Sequence, residues 1–214
     1  MGAVSEASPE DALMRRAAVI PILTIEDAAN AVPLARALVA GGLPVMEVTL
    51  RTPAALEAIR RIVGEVPDAE LGAGTILTPA DFEAALKAGA RFVVTPGLTE
   101  RLLRAMAGAP VPLLPGVATA SEVMRALDAG MTHLKFFPAE AVGGAPAIAA
   151  LAGPFGQARF CPTGGINARN APSYFALPNV LCVGGAWVAP PDAIRDGDWD
   201  RITGLAREAA ALRG

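Results

Sequence analysis

The chain is poor in the residues from which many functional sites are built. It has one histidine, His133, and two cysteines, Cys161 and Cys182. The cysteines lie in separate apolar segments with no CxxC spacing, so they form neither a zinc ribbon nor a disulfide framework. They read as buried free thiols of a reducing compartment. One histidine and no cysteine cluster leave no ligand set for a zinc or copper centre, and neither a metal nor another cofactor is expected. Charge runs of one sign are also missing: 18 basic residues face 21 acidic ones, for a net charge of -3. That excludes a nucleic-acid footprint and a membrane-surface patch. The uncharged interval between Arg169 and Asp192 contains Pro172, Pro178, Pro190 and Pro191, which makes it a poor membrane helix. The first residues, "MGAVSEASPEDALMRR", have acidic groups and no apolar core, unlike a secretory leader. A cytoplasmic location is expected on both grounds. Residues 9–16 predict a short leading helix.

What is abundant is apolar surface. The 214 residues are 53% hydrophobic with a mean hydropathy of +0.43, which suits one domain spanning 1–214 with much fully buried structure. A pattern recurs: "ALVAG" ends at Gly41, "ALKAG" at Gly89 and "ALDAG" at Gly130. Each reads as the last turn of an amphipathic helix closed by glycine, which accepts the left-handed conformation. Each leads into an apolar strand. Helix starts are marked as well: Thr52-Pro53, Thr78-Pro79, and Thr119 followed by Glu122 as a capping box. Strands are expected near 18–24, 45–51, 70–76, 91–95, 111–117, 132–138, 158–163 and 180–185. Helices are expected near 27–40, 53–64, 79–88, 99–107, 120–129, 144–152, 169–176 and 198–212. Eight alternating units predict parallel strands joined by right-handed crossovers. A (β/α)8 barrel with a short extra N-terminal helix fits that count. An open doubly wound sheet is the alternative, but no GxGxxG turn follows the first strand, "VIPIL".

In such barrels the working residues sit at the C-terminal strand ends. Strand alternation places Glu47, Thr49 and Arg51 inward, with Met46, Val48 and Leu50 outward. It places His133, Lys135 and Phe137 inward, with Leu134 and Phe136 outward. Glu47 and Arg51 could be a structural ion pair. Lys135 could be a lysine snorkelling at a strand end, but its apolar neighbours and the barrel interior leave little room for that. Its sharper use is as a neutral amine that attacks a ketone and forms a Schiff base. A free lysine is almost wholly protonated at neutral pH, and desolvation or a nearby cation lowers such a pKa. Phe137 and Arg51 are placed to supply these, while Glu47 opposes them and is itself placed to shuttle protons. "PTGGIN" (162–167) and "VGGAW" (183–187) end the last two strands. Paired glycines there expose N–H groups to an anion, phosphate above all, although tight turns alone would also use them.

Together "MEVTLRTP", "GAGTIL", "TPGLT", "LPGVATASE", "LKFFPAE", "PTGGIN" and "VGGAW" resemble, in order, the segments of the 2-keto-3-deoxy-6-phosphogluconate (KDPG) aldolase and 4-hydroxy-2-oxoglutarate aldolase family. The resemblance runs from about Val19 to Pro190. It implies a class I aldolase of the Entner–Doudoroff route, releasing pyruvate and glyceraldehyde 3-phosphate. Lys135 is then the Schiff-base residue and Glu47 the general acid/base. Arg51 and Thr163 are implied to hold the pyruvate-derived carboxylate, and Thr75, Pro96 and Phe137 to line the pocket. Gly164, Gly165, Gly185 and Ala186 are implied to hold phosphate, and the assembly to be a homotrimer. Well-known members of the family carry serine where this chain has Ala186, so one phosphate donor is missing. The competing classes are a sugar-phosphate isomerase or epimerase and a non-catalytic barrel. Neither has a use for a buried lysine beside a buried glutamate.

Overall fold

The computed structural model describes residues 8–213. In chain order its elements are α1 Pro9–Arg15, β1 Val19–Leu23, α2 Ala31–Ala40, β2 Val45–Thr49, α3 Ala55–Glu65, β3 Glu70–Gly74, α4 Pro79–Lys87 and β4 Phe92–Val94. Then follow α5 Glu100–Met106, β5 Leu113–Leu114, β6 Gly116–Val117, α6 Ala120–Asp128, β7 His133–Phe136, α7 Gly144–Ala152, β8 Arg159–Pro162, α8 Ala171–Phe175, β9 Val183–Gly185, α9 Pro191–Asp196 and α10 Trp199–Ala210. The reading of the first residues as no secretory leader falls in part on 1–7, outside the described residues.

Strand pairs are parallel throughout. They form a six-stranded sheet, β5-β4-β3-β2-β1-β9, and a three-stranded sheet, β6-β7-β8. The sequence predicts one strand over 111–117, and it is split into β5 and β6 by Pro115. Proline has no N–H for the ladder, yet the Pro115 carbonyl still accepts from the Lys135 N–H at 2.9 Å. At the other seam, the bridges Phe160–Val180 and Thr163–Gly184 join β8 to the β9 segment.

The predicted helix ends are visible in detail. Thr78 and Thr119 both form reciprocal capping boxes, with Asp81 and Glu122. Thr52 does not cap: α3 begins at Ala55, and the Thr52 hydroxyl donates to the Ile25 carbonyl at 2.6 Å. At the helix C-termini Gly89 and Gly130 take φ +94 and +79. In the first repeat the left-handed residue is Gly42, φ +89, not Gly41. Gly41 instead meets α10 closely, where a Cβ would stand 2.4 Å from Ala206 Cβ. One helix is absent from the sequence reading, α9. Its Pro191 start and left-handed Gly197 end are ordinary signals on an element of only 6 residues.

The core lies between the strands and the surrounding helices. Outward residues of β7 and β8 show how it packs: Phe136 and Phe160 meet edge to face with centroids 6.1 Å apart. The predicted leading helix is α1, and it buries Leu13 and Met14. It touches the N-terminal strand ends, through Arg16 to Glu70 at 2.7 Å and Asp11 to His133 at 3.4 Å. The opposite, C-terminal ends are left open for a site. Among the described residues no helix is long and apolar enough to cross a membrane.

Candidate active site

Lys135 and Glu47 reach the interior from opposite sheets. Glu47 is on β2, in register with Ile22 of β1 and Gly72 of β3. Lys135 is on β7, in register with Gly116 and Cys161. Their side chains are 3% and 7% exposed, and Nζ lies 3.4 Å from Glu47 Oε1. Two charges so fully removed from water need each other. The spacing is longer than a tight charge-assisted bond, so the contact leaves room for rearrangement. Glycine makes the geometry possible: a Cβ on Gly74 would stand 1.7 Å from Glu47 Oε1. The carboxylate occupies the space that any other residue on β3 would fill. The Phe137 ring centroid lies 5.3 Å from Nζ and shields it.

Phe137 also borders a cavity of about 220 Å³, together with Arg51, Thr163, Gly164, Gly165, Gly185 and Ala186. Seven residues singled out in the sequence thus meet in one place. Thr163 is buried at the end of β8, and its hydroxyl fills the space beside Gly184, where a Cβ would be 2.2 Å away. Gly164 and Gly165 hold φ +106 and +79, a left-handed pair that only glycine adopts readily. Their carbonyls are occupied, Gly164 by the Glu140 N–H at 3.1 Å and Gly165 by Asn170 Nδ2 at 3.1 Å. Among the described residues the N–H groups of Gly164 and Gly165 have no backbone acceptor. Successive backbone N–H groups left free in a turn are available to an anion when they point the same way.

Three placements differ from the sequence reading, those of Arg51, Thr75 and Pro96. Arg51 does not pair with Glu47. Strand β2 ends at Thr49, and the chain turns there, with the Arg51 N–H on the Thr49 carbonyl at 2.8 Å. Strict alternation therefore stops before Arg51, which is exposed and donates from Nε to Thr75 Oγ1 at 3.2 Å. Thr75 does not itself border the 220 Å³ cavity and reaches it through Arg51; it holds φ +60, an uncommon conformation for a residue with a Cβ. Pro96 does not border the 220 Å³ cavity; it lines a neighbouring one with Leu98 and Arg125. Its backbone passes so close to Gly116 that a Cβ there would lie 2.3 Å from the Pro96 carbonyl carbon. Pro96 thus backs the strand beside Lys135.

Several participants were not singled out. Ile22 and Trp187 border the cavity, and the Trp187 ring covers Gly185, where a Cβ would meet it at 1.8 Å. An aromatic residue two places after paired glycines was the available signal. Thr95 accepts from the Gly116 N–H at 3.1 Å, and Thr49 donates to the Leu23 carbonyl at 2.9 Å. Both brace strand ends from within. Among the described residues no group of three His, Cys, Asp or Glu is placed to hold a metal ion.

Comparison with known proteins agrees with this geometry. The family model of KDPG and KHG aldolases matches residues 10–205. The 2-dehydro-3-deoxy-phosphogluconate aldolase of Dickeya dadantii is 55% identical over 193 residues, covering 90% of this chain and 91% of that protein. The KDPG aldolase of Legionella pneumophila, solved with pyruvate captured as a covalent carbinolamine intermediate, superposes with a TM-score of 0.92 at 47% identity. That match covers 94% of this chain and 98% of the other. The Zymomonas mobilis enzyme, solved with 3-phosphoglycerate, gives a TM-score of 0.89 at 53% identity over 95% of both chains. On its sequence, its fold and the contents of its cavity, the chain belongs to the KDPG and KHG aldolase family.

Proposed function

We propose that this protein is a class I aldolase that cleaves 2-dehydro-3-deoxy-6-phosphogluconate to pyruvate and glyceraldehyde 3-phosphate, with 4-hydroxy-2-oxoglutarate as a second substrate. The observation that carries this is the buried Lys135–Glu47 pair, 3.4 Å apart, with the amine next to the Phe137 ring that borders the cavity.

The chemistry follows from that contact. Transfer of the lysine proton to Glu47 frees the amine, which attacks the C2 ketone of the substrate. Glu47 gives that proton to the carbinolamine hydroxyl, which leaves as water, and an iminium remains. Glu47, once ionised, takes the proton of the C4 hydroxyl. The C3–C4 bond then breaks, its electrons flow toward the iminium nitrogen, and the aldehyde leaves. The protonated Glu47 returns its proton to C3 of the enamine. Water hydrolyses the resulting imine, pyruvate departs and the amine is restored. Arg51 and Thr163 hold the carboxylate, with Thr75 positioning Arg51 through its hydrogen bond. Phe137 keeps water from the amine, and Pro96 supports the wall behind it. Gly164, Gly165, Gly185 and Ala186 receive the phosphate through backbone N–H groups. The pyruvate adduct and the phosphorylated ligand in the two solved relatives support both halves of the site.

The same reading treats the chain as one domain, a (β/α)8 barrel closed at two seams. The short gap at Pro115 and the two bridges between β8 and the β9 segment support closure. Family membership supports a homotrimer in the cytoplasm, and a monomer mass in solution at all concentrations would exclude the trimer.

Incubation with pyruvate and borohydride tests the mechanism. One pyruvate-derived unit per chain is expected, on Lys135. Lys135→Arg is expected to abolish both labelling and turnover, since a guanidinium cannot replace a nucleophilic amine. A label on Lys87, the other lysine, or no label at all would overturn the assignment.

A further inference from the structure

Beside the cavity, a tyrosine with no exposed surface is bonded to the carboxylate of an exposed residue. Tyr174 lies on α8, and its hydroxyl donates to Oε1 of Glu140. Burial first, and then the carboxylate, push the phenol well above its usual range, so it remains a donor throughout the working pH range. Glu140 in turn lies against the anion turn. Its N–H holds the Gly164 carbonyl at 3.1 Å, and the N–H of Ala139 holds the Thr163 carbonyl at 2.8 Å. A Cβ on Gly165 would lie 2.7 Å from Glu140 Cγ and 2.8 Å from Glu140 Cβ. The stem of Glu140 is therefore seated on the Gly165 α-carbon. Its carboxylate borders an outer groove with Gly143 and Gly144, whereas Gly165 borders the cavity. Glu140 is a wedge between the two. An exposed glutamate has several rotamers, and only a bond at its far end keeps its stem in one of them.

We propose that Tyr174 and Glu140 are positioning residues for phosphate. The Tyr174 hydroxyl locks the Glu140 side chain, and the Glu140 stem holds Gly164 and Gly165 in the left-handed turn that presents their N–H groups to the cavity. The same bond draws the Glu140 carboxylate toward the outer groove, where its charge does not oppose the incoming anion. This rests on the assignment of the turn to phosphate made above. The effect belongs to anion affinity and not to imine chemistry.

The test separates those two. Tyr174→Phe deletes one oxygen. It is expected to raise KM for the phosphorylated keto acid, and Ki for inorganic phosphate, about tenfold. The kcat is expected to hold, as is the rate at which pyruvate methyl protons exchange with solvent deuterium, a reaction that involves no phosphate. Glu140→Gln keeps the stem and an acceptor oxygen, and is expected to behave like wild type. Glu140→Ala, at an exposed position, is expected to match or exceed Tyr174→Phe and serves if that variant folds poorly. Unchanged KM and Ki in both Tyr174→Phe and Glu140→Ala would overturn the proposal. So would a parallel loss of pyruvate exchange, which marks a general structural role. If the wild-type enzyme neither responds to inorganic phosphate nor prefers the phosphorylated acid to its dephosphorylated form, the phosphate assignment itself falls, and this proposal with it. That failure is read in wild type before any variant is made.

Discussion

His133 and Lys135 are two residues apart on the same strand, both point inward, and both meet a carboxylate at 3.4 Å. Their surroundings differ. Asp11 reaches His133 from α1 and also binds Arg15, while Thr132 contacts the second nitrogen of the ring. That end is cross-braced: each group has more than one partner, although His133 borders a small cavity with Thr132 and Glu10. At the other end the Lys135 amine has, among the described residues, one hydrogen-bond partner, Glu47, and an aromatic ring near it. Thr132 and Asp11 make the lower contact redundant, while the upper one is a single buried contact behind the Phe137 ring, which borders the cavity. An inward charge on a strand is therefore not diagnostic by itself. Redundancy of partners distinguishes a brace from a reactive pair.

That distinction can be broken by substitution. The largest effect is expected from Glu47→Gln, which keeps size and hydrogen bonding but cannot carry protons. Turnover should fall by about 10²–10⁴-fold, with slow borohydride trapping retained because the amine is still present. Steady-state kinetics that match wild type would place Glu47 with the braces. A smaller effect is expected at the cavity rim. Ala186→Ser adds a donor where the backbone already presents one, and KM for the phosphorylated substrate should drop about tenfold. The same variant should change KM for hydroxyketoglutarate less, and equal changes would remove residue 186 from the anion site. The smallest effect is expected at the braced end. Asp11→Asn should leave kcat unchanged and cost roughly 0.5–1 kcal/mol in denaturant unfolding. The hydrogen bond from Arg15 holds the Asp11 carboxyl below its ordinary value of 3.8, and His133 adds to this. A depressed folded pKa means stabilisation that is complete above that value and lost as the pH falls below it. The stability gap between wild type and Asp11→Asn should close in that acid window, and a gap that persists there would show that charge is not its source.

How far the sequence alone reaches follows the same physical lines. Helix ends were legible because threonine caps and left-handed glycines act locally, as at Thr78, Thr119, Gly89 and Gly130. Lys135 and Glu47 were legible because period-two alternation holds while a strand is regular. Alternation was carried too far at Arg51 because the strand stops two residues earlier, although Arg51 still borders the cavity, and Thr52 was misread because its hydroxyl found a carbonyl on the β1 loop instead of its own helix. The split at Pro115 needs the neighbouring ladders, although the proline itself was visible. Contacts such as Tyr174 to Glu140 are set by how the turn after β7 packs against α8, and no spacing within either segment encodes them.

Gly74 carries a consequence for how such a sequence can change over generations. Its missing side chain and the Glu47 carboxylate occupy one volume, so the two positions are not independent. Any residue larger than glycine at 74 displaces the carboxylate from this position, whether Glu47 turns to another rotamer or gives way to a shorter side chain. A lineage that abandons the proton shuttle gains freedom at 74, and once that freedom is used, restoring glutamate alone no longer restores the site. The reverse path then requires two changes at once, and the loss of activity becomes a ratchet.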